Sequence, residues 1–382
     1  MSFAVISGWG AVSGYGVGRA ALEAIFRECG APRAAALVEA HSLYSEPLPP
    51  GGVHAALEFN VRALLGRKGT SFLDRRSALA MVACGEALES SGLGVDDGNR
   101  HRVGIALGTT CGSFKSMSDF NLQTHIERKP YLVDPAQFPN TVLNCAAGQT
   151  AIRFGLKGVN ATLAGGPLAF LTTLAYAQNA LRRGYGDVII TGAVEELTPH
   201  NAWSTHLCRN HRPEVPPGEG AAMFVLESEE GAAAAGRRPI ARIESVVIAF
   251  CPGGQRGGRL RKSLAECVSR AIAAAHVEAA AIQLVATCAC DPEASQDNDS
   301  PIEAAALADA LGGREYELID VTSLLGDCQA ATGALQMAAL LCRGAAAVDR
   351  LTPLALLTGW THDGGVGAAV VRVNDHGRTH LQ

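Results

Sequence analysis

The stretch GVNATLAGGPLAFL, Gly158 to Leu171, reads as the end of a buried strand feeding a helix. Such a strand-to-helix elbow is where many enzymes mount a nucleophile at a helix N-terminus. Here the residue at the apex is Pro167, which carries no nucleophilic atom and no backbone N–H. Proline is nevertheless comfortable in the first turn of a helix. Downstream, Leu171, Leu174, Ala177 and Leu181 share one face of a helix expected over Leu168–Arg183, with Gly184 as its stop.

On either side of the elbow, short apolar strands alternate with helices. Strands are expected at Phe3–Trp9, Arg102–Thr110, Asp187–Glu196 and Ala221–Glu227. Asp74 is placed to cap a helix running through Leu88, with Gly92 just past its end. Asn144–Phe154 reads as another helix. After the run EEGAAAAGRRP (Glu229–Pro239), read as a surface connection, the rhythm repeats. Strands are expected at Ile243–Phe250, Ile282–Cys288 and Gly367–Val373, and helices at Ser263–Ala275, Ile302–Leu311 and Ala330–Cys342. The alternation implies an α/β fold with buried mixed sheets, in two halves, 1–235 and 236–382.

Composition narrows the function classes. The chain has 382 residues, 48% of them hydrophobic, enough for a large core. A net charge of −5 supplies no basic field for nucleic acid. No apolar run reaches the roughly 18 residues of a membrane span, and MSFAVISGWG lacks the basic start of a secretory signal, so a cytoplasmic location is expected. Eleven cysteines are scattered without C-x-x-C spacing, which favours buried thiols in a reducing compartment over disulfides or a zinc site. No metal or cofactor is expected. Gly8-x-Gly10 follows a strand, but Ser13 stands in the third glycine slot and no acidic residue closes a second strand at the right distance. These read as turn glycines rather than a dinucleotide fingerprint. GGQRGGRLRK (Gly253–Lys262) has Arg259 where a phosphate loop needs lysine and reads as a solvated basic loop, with contact to an acidic partner or a pantetheine phosphate as the other possibility.

Several stretches together resemble the β-ketoacyl synthases of the thiolase-like superfamily. They are ISGWGAVSGYG, DRRSALAMVACGEALESSGL, RVGIALGTTCGS, FPNTVLNCAAGQTAIRFGLKGVNAT, LRRGYGDVIITGAVEEL, PPGEGAAMFVLESEEGAAAAG and LLGDCQAATGALQMAAL, in the family's order over nearly the whole chain. The resemblance implies a thiolase-like fold: two αβα repeats in a five-layer αβαβα sandwich, and a two-fold dimer built partly on the nucleophile strand. It also implies what an active member carries. A cysteine sits at the elbow, its thiol made acidic by the helix N-terminus. Two histidines polarise the thioester carbonyl and drive decarboxylation of the malonyl extender, and a lysine lies near the second.

This sequence departs at each of those points. Pro167 stands where the cysteine belongs. In LVATCACDPEASQDND the first histidine position falls on Cys288, or near Asp291 when aligned backwards from Asp299 and Glu303. In SLLGDCQAATG, Asp327 follows Gly326 where the family has Gly-His, and the lysine position falls on Thr322. No histidine lies between His276 and His362, and no lysine follows Lys262, so no shift of register restores the set. The family's oxyanion hole uses the nucleophile's own N–H, which Pro167 deletes. Its second donor comes from a G-F-G-G loop, replaced here by GWTHDGGVG with His362-Asp363 ahead of Gly364-Gly365. One lost donor costs roughly 10²–10³ in rate.

The pattern is similar to the chain length factors of type II polyketide systems, inactive ketosynthase homologues that pair with an active one. Their aromatic branch often has Gln at the elbow. Pro167 is more similar to the divergent subunits that accompany synthases of reduced or polyenoic chains. The resemblance implies a heterodimer, or heterotetramer, with an active ketosynthase, and an acyl carrier protein delivering a phosphopantetheine-bound chain. It places Cys111, Phe114, Met117, Gln137 and Phe138 at the interface and tunnel end. The alternative for Phe114, Met117 and Phe138 is ordinary core packing. A second functional reading is an acyl-transfer or hydrolytic enzyme with relocated chemistry on Cys288, Cys290, Asp327 and His362. A scaffold without acyl binding is a third.

Overall fold

The computed structural model describes residues 3–26, 43–208, 215–252, 258–288, 302–346 and 352–374. Through the first part of the chain run β1 (Ala4–Ser13), β2 (Gly16–Val17), α1 (Arg19–Phe26), α2 (Val61–Leu65), α3 (Arg75–Ser91) and β3 (Val103–Thr109). There follow α4 (Phe114–Ile126), a 3-10 segment at Pro135–Thr141, α5 (Cys145–Phe154), β4 (Asn160–Ala164), α6 (Ala169–Arg182), β5 (Val188–Glu195), α7 (Pro199–Cys208), β6 (Gly220–Ser228) and α8 (Glu229–Ala234). The rest holds β7 (Ala241–Phe250), α9 (Arg259–Ala274), β8 (Ile282–Thr287), α10 (Ile302–Leu311), β9 (Glu317–Asp320), α11 (Val321–Leu325), α12 (Ala330–Ala346), β10 (Leu354–Trp360) and β11 (Gly365–Val373).

Hydrogen bonding joins the strands in the order β4-β3-β5-β6-β1-β7-β11-β10-β8-β9, with β2 beside β1. The two runs are built alike. β3 lies parallel to β4 and β5, while β6 is antiparallel to β5 and β1; β8 lies parallel to β9 and β10, while β11 is antiparallel to β10 and β7. They meet where β1 and β7 pair antiparallel, Val5 opposite Arg242.

Helices divide into three layers around these strands. α3 and α5 cover the outer face of the first run, α9 and α10 that of the second, and α6 and α12 lie between, touching strands of both. Apolar packing follows the layers. Leu79, Ala83 and Ala87 of α3 meet Ile105 and Ile190 on one outer face, and Leu264 and Val268 of α9 meet Val285 and Val370 on the other. Phe170, Leu174, Met337 and Leu341 fill the middle. α12 is apolar nearly all round because it has a sheet on each side. Five layers result, as the resemblance implied.

Local signals explain several boundaries. The Asp74 side chain accepts the Ser77 N–H at 2.7 Å, and Gly92 ends α3 in the left-handed conformation with φ 68°. α10 has the expected bounds. Four expectations are corrected. Gly8 and Gly10 are not turn residues: they lie inside β1, and a Cβ at Gly10 would stand 2.4 Å from the Ala83 carbonyl, so glycine lets α3 rest directly on the strand. β4 is not buried; it is the edge strand of its run and half-exposed, because nothing described lies beyond it. The surface connection after β6 begins with a helical turn, α8, capped by the Ser228 hydroxyl. The run Arg259–Lys262 forms the first turn of α9 rather than a loop, with Arg261 paired to Asp309 at 2.7 Å; residues 253–257 lie outside the described residues. No described helix is long and apolar enough to cross a membrane.

Candidate functional site

The elbow is built at the C-terminal end of β4. Gly165 N–H donates to the Thr109 carbonyl at 3.3 Å, holding the elbow beside the end of β3. Gly166 takes φ 51°, a left-handed conformation suited to glycine, and Gly166–Leu168 form one 3-10 turn before α6 starts at Ala169. Pro167 occupies the first turn, where its missing N–H leaves no helical hydrogen bond unmade. The turn is wedged in place. Its Leu168 side chain is buried against Gly359, Gly365 and Gly367, where added Cβ atoms would come within 3.2, 2.6 and 3.0 Å of it. The Pro167 carbonyl faces Gly333 of α12 and Gly359 of β10, 3.5 and 3.6 Å from Cβ positions there. The strand-to-helix turn is therefore closed and packed, and Pro167 within it carries no nucleophilic atom.

The other positions expected to be degenerate are held as follows. Asp327 precedes α12, half-buried, and its carboxylate accepts the Gln329 N–H at 2.8 Å. Its backbone is stitched to residues 216–218: Asp327 N–H donates to the Pro216 carbonyl at 2.8 Å and Gly218 N–H to the Asp327 carbonyl at 2.9 Å. Thr322 is buried in α11, its N–H donating to the Asp320 carboxylate that caps the helix. Cys288, at the end of β8, is 2% exposed. Its N–H donates to Glu303 Oε1 at 3.3 Å, and its Sγ lies 3.8 Å from the same oxygen. Glu303 also accepts the Thr358 hydroxyl, and burial pushes its carboxyl up to about 7. Cys290 and Asp291 lie outside the described residues. His362 is exposed at the tip of the β10–β11 hairpin, edge-on to Trp360 with ring centroids 5.1 Å apart; the Thr361 hydroxyl donates to Asp363 beside it. An exposed imidazole and a thiol buried against a carboxylate are a poor nucleophile–base pair.

The residues expected at the tunnel end group around α4. Cys111 is exposed, just past β3, and its thiol is pushed up by burial and by the charge of Glu195. Phe114 and Met117 are half-buried on α4. The Gln137 side chain accepts from Gln123 Nε2 at 3.0 Å, and Phe138, 55% exposed, packs edge-on to Phe120 at 5.8 Å. Neither α4 nor the Pro135–Thr141 segment contains a fully buried side chain, so Phe114, Met117 and Phe138 are at most half-buried in this chain. Leu122 and Ile126 of α4, Tyr131 and Leu132 between the two segments, and Val142 just after them are exposed as well. Together with the half-exposed edge of β4, they leave a broad apolar surface.

Beneath this surface lies a buried charged cluster absent from the sequence expectations. Arg75 forms a fork on Glu219, with Nε to Oε2 at 2.8 Å and Nη2 to Oε1 at 2.5 Å. Glu219 also accepts the N–H groups of Ala56 at 2.9 Å and Leu197 at 3.2 Å. Glu195 accepts the Thr110 N–H at 2.9 Å, and burial pushes its carboxyl up to about 7. Its neighbour Glu196 is pushed up to about 8 by burial and by the Asp74 charge. The signal was present in the sequence as consecutive acids closing an apolar strand, GAVEE, and paired arginines opening an apolar helix, DRR. Among the described residues no group of three His, Cys, Asp or Glu could hold a metal ion.

Comparison with known proteins bears on this geometry. Residues 49–232 match the model of the beta-ketoacyl synthase N-terminal domain. The chain is 28% identical over 238 residues to 3-oxoacyl-[acyl-carrier-protein] synthase 2 of Staphylococcus aureus (strain N315), a match covering 55% of this chain and 57% of that protein, so it spans little more than half of that relative's length. Among solved structures, the ishigamide ketosynthase/chain length factor superposes with a TM-score of 0.82 at 33% identity, covering 97% of this chain and 99% of the other. A type II PKS acyl-carrier protein in complex with its ketosynthase bound to the hexaketide gives a TM-score of 0.77 at 18% identity, over 97% and 99% of the two chains. The thiolase-like fold follows from these superpositions. With the family model over residues 49–232 and a full-length likeness, at one-third identity, to a chain of the ishigamide ketosynthase/chain length factor, the chain belongs to the beta-ketoacyl synthase family.

Proposed function

We propose that this chain is a non-condensing ketosynthase-like subunit, a chain length factor, that pairs with an active ketosynthase. In that role it shapes the tunnel holding the growing acyl chain during decarboxylative condensation on an acyl carrier protein. One observation carries the reading: Pro167 occupies a closed strand-to-helix turn, wedged between α12 and the β10–β11 hairpin, and offers neither a thiol nor an N–H. The same-length relative named a ketosynthase/chain length factor supports it. So do the edge of β4, which pairs with no further strand among the described residues, and the apolar side chains of α4 and Pro135–Thr141, which a second chain would cover. The partner would supply the cysteine and both histidines. This chain would supply dimer surface and a tunnel wall, where steric overlap limits product length because packed walls yield little.

The test is co-expression with a ketosynthase carrying an intact Cys-His-His set. A stable heteromeric complex that condenses malonyl units, beside an isolated chain that does not, is the expected result. Condensation by the isolated chain, free of contaminating synthase, would remove the proposal.

A further inference from the structure

The proposed role requires α4 and Pro135–Thr141 to hold their shape, yet neither has a fully buried side chain to root it. Among their attachments, a set of polar ones converges on Arg76, the second residue of α3. Arg76 is 0% exposed, rare for a residue type almost never fully buried unless paired. Its Nη1 donates to the Leu143 carbonyl at 3.2 Å and its Nη2 to the Val142 carbonyl at 3.4 Å, the turn that leads out of Pro135–Thr141. Nη2 lies 3.7 Å from Asp74 Oδ2. The Arg76 N–H donates to Glu196 Oε2 at 3.1 Å, while Glu196 Oε1 accepts the Ser113 hydroxyl at 2.6 Å. Ser113 in turn is the N-cap of α4.

The loop into α4 is shaped around the guanidinium. Glu195 holds one end of it through the Thr110 N–H, and Glu196 the other through Ser113. Between them Gly112 takes φ 83°, and a Cβ at that position would stand 2.8 Å from Arg76 Nη1. The guanidinium fork holds the Val142–Leu143 turn and lies against Gly112, while the Arg76 N–H reaches Ser113 at the head of α4 through Glu196; the two segments also meet directly through Gln123–Gln137 and Phe120–Phe138. Lysine, with one compact charged head, cannot span both carbonyls in the same way. An apolar side chain would fill the space and leave two carbonyls without their donor.

We infer that Arg76 is the positioning residue of the tunnel wall: it ties the entry to α4 and the Val142–Leu143 turn to α3, so that the two segments hold one fixed surface against the acyl chain. The inference rests on the tunnel-wall reading above, and the experiment separates the two. The full chain, co-expressed with its ketosynthase, is prepared as wild type, Arg76→Met, Arg76→Lys and Phe114→Ala. Backbone hydrogen exchange and product masses are measured for each. Arg76→Met is expected to speed exchange about ten- to a hundredfold in residues 111–126 and 135–145, leave β8 and β10 protected, and spread the products over several lengths. Arg76→Lys should fall between it and wild type. Wild-type exchange in both segments, or loosening spread evenly over the chain, overturns the inference. So does an unchanged product distribution in Arg76→Met when Phe114→Ala shifts it. Selective loosening in Arg76→Met with no change of product length in any variant supports the anchoring and refutes the tunnel-wall reading instead. If Arg76→Met yields no folded chain, Ser113→Ala cuts the same link at one end. Faster exchange confined to residues 111–126 then supports the inference, and unchanged exchange there overturns it.

Discussion

Replacing Pro167 with cysteine would return the missing thiol and the missing N–H to the head of α6 in one step, and the chain should still fail to condense. The substitution is structurally mild. Pro167 is half-buried, and the contacts of its carbonyl with the Gly333 and Gly359 positions are kept by any residue. Losing the ring costs under about 1 kcal/mol through the freedom of the unfolded chain. The introduced thiol would face two opposing influences. The N-terminus of a 14-residue helix favours its thiolate. The half-burial of position 167, which disfavours a charged thiolate, opposes it. Acylation of the Pro167→Cys variant by an activated thioester should therefore be slow but measurable. Condensation needs more. Where the family resemblance places two imidazoles, this chain has Cys288, or a position near Asp291, and Asp327, none of them a histidine. Each missing acid–base group is worth about 10²–10⁴ in rate, so even the lower bound for two leaves the variant about 10⁴-fold behind a complete member, or about 5.5 kcal/mol in barrier. The assay is intact-mass detection of the acylated chain alongside carbon dioxide release and product mass from malonyl- and acyl-carrier protein. Condensation within about tenfold of an intact ketosynthase would show that the imidazoles are dispensable and that the missing acid–base groups do not set the rate.

Further expectations follow from the same structure. Phe114→Ala or Met117→Ala, on the half-exposed face of α4, should lengthen the products of the co-expressed pair; unchanged lengths from a correctly assembled complex would remove both residues from the wall. Stability should depend on pH in the opposite sense to ordinary acid denaturation. Glu195, Glu196 and Glu303 are raised by burial from 4.5 to about 7, 8 and 7, so the stability linked to their protonated forms is fully present below pH 4.5 and lost as pH rises through 7–8. The melting temperature should accordingly fall between about pH 4.5 and pH 8, and Glu303→Gln, which removes the carboxyl beside Thr358 and Cys288, should flatten that fall; a rising melting temperature would contradict it. Gly10→Ala should destabilise the fold by about 1–3 kcal/mol in urea titration, because the added methyl meets the Ala83 carbonyl at 2.4 Å and α3 must move; an unchanged midpoint would refute the close packing.

Much of the architecture could be read from local chemistry. Asp74 and Gly92 mark the ends of α3, and the apolar period of Leu171, Leu174 and Ala177 marks the buried face of α6, because caps and amphipathic faces depend on residues within a turn or two. Elements with weak local signals were missed. α4 follows a serine cap but has no apolar face to give it a period, and β9 is only four residues long. β4 carries an apolar sequence that looks interior; its exposure comes from its place at the edge of the strand order, which no residue in it encodes. Gly8 and Gly10 looked like turn residues because their partner, α3, is some 75 positions away, as the Ala11–Glu86 hydrogen bond shows.

What the sequence determined by itself was absence. A missing thiol at position 167, a stretch without histidine from 277 to 361 and no lysine beyond 262 are statements about atoms, and folding cannot supply atoms the chain lacks. What only the tertiary structure decided was how the remaining groups are held. Arg76 reaches the carbonyls of Val142 and Leu143 and the carboxylate of Glu196 across 66 to 120 positions of chain. Those contacts exist because α3, β5 and the turn after Thr141 end at one place, where a buried charge must find partners or not be buried at all.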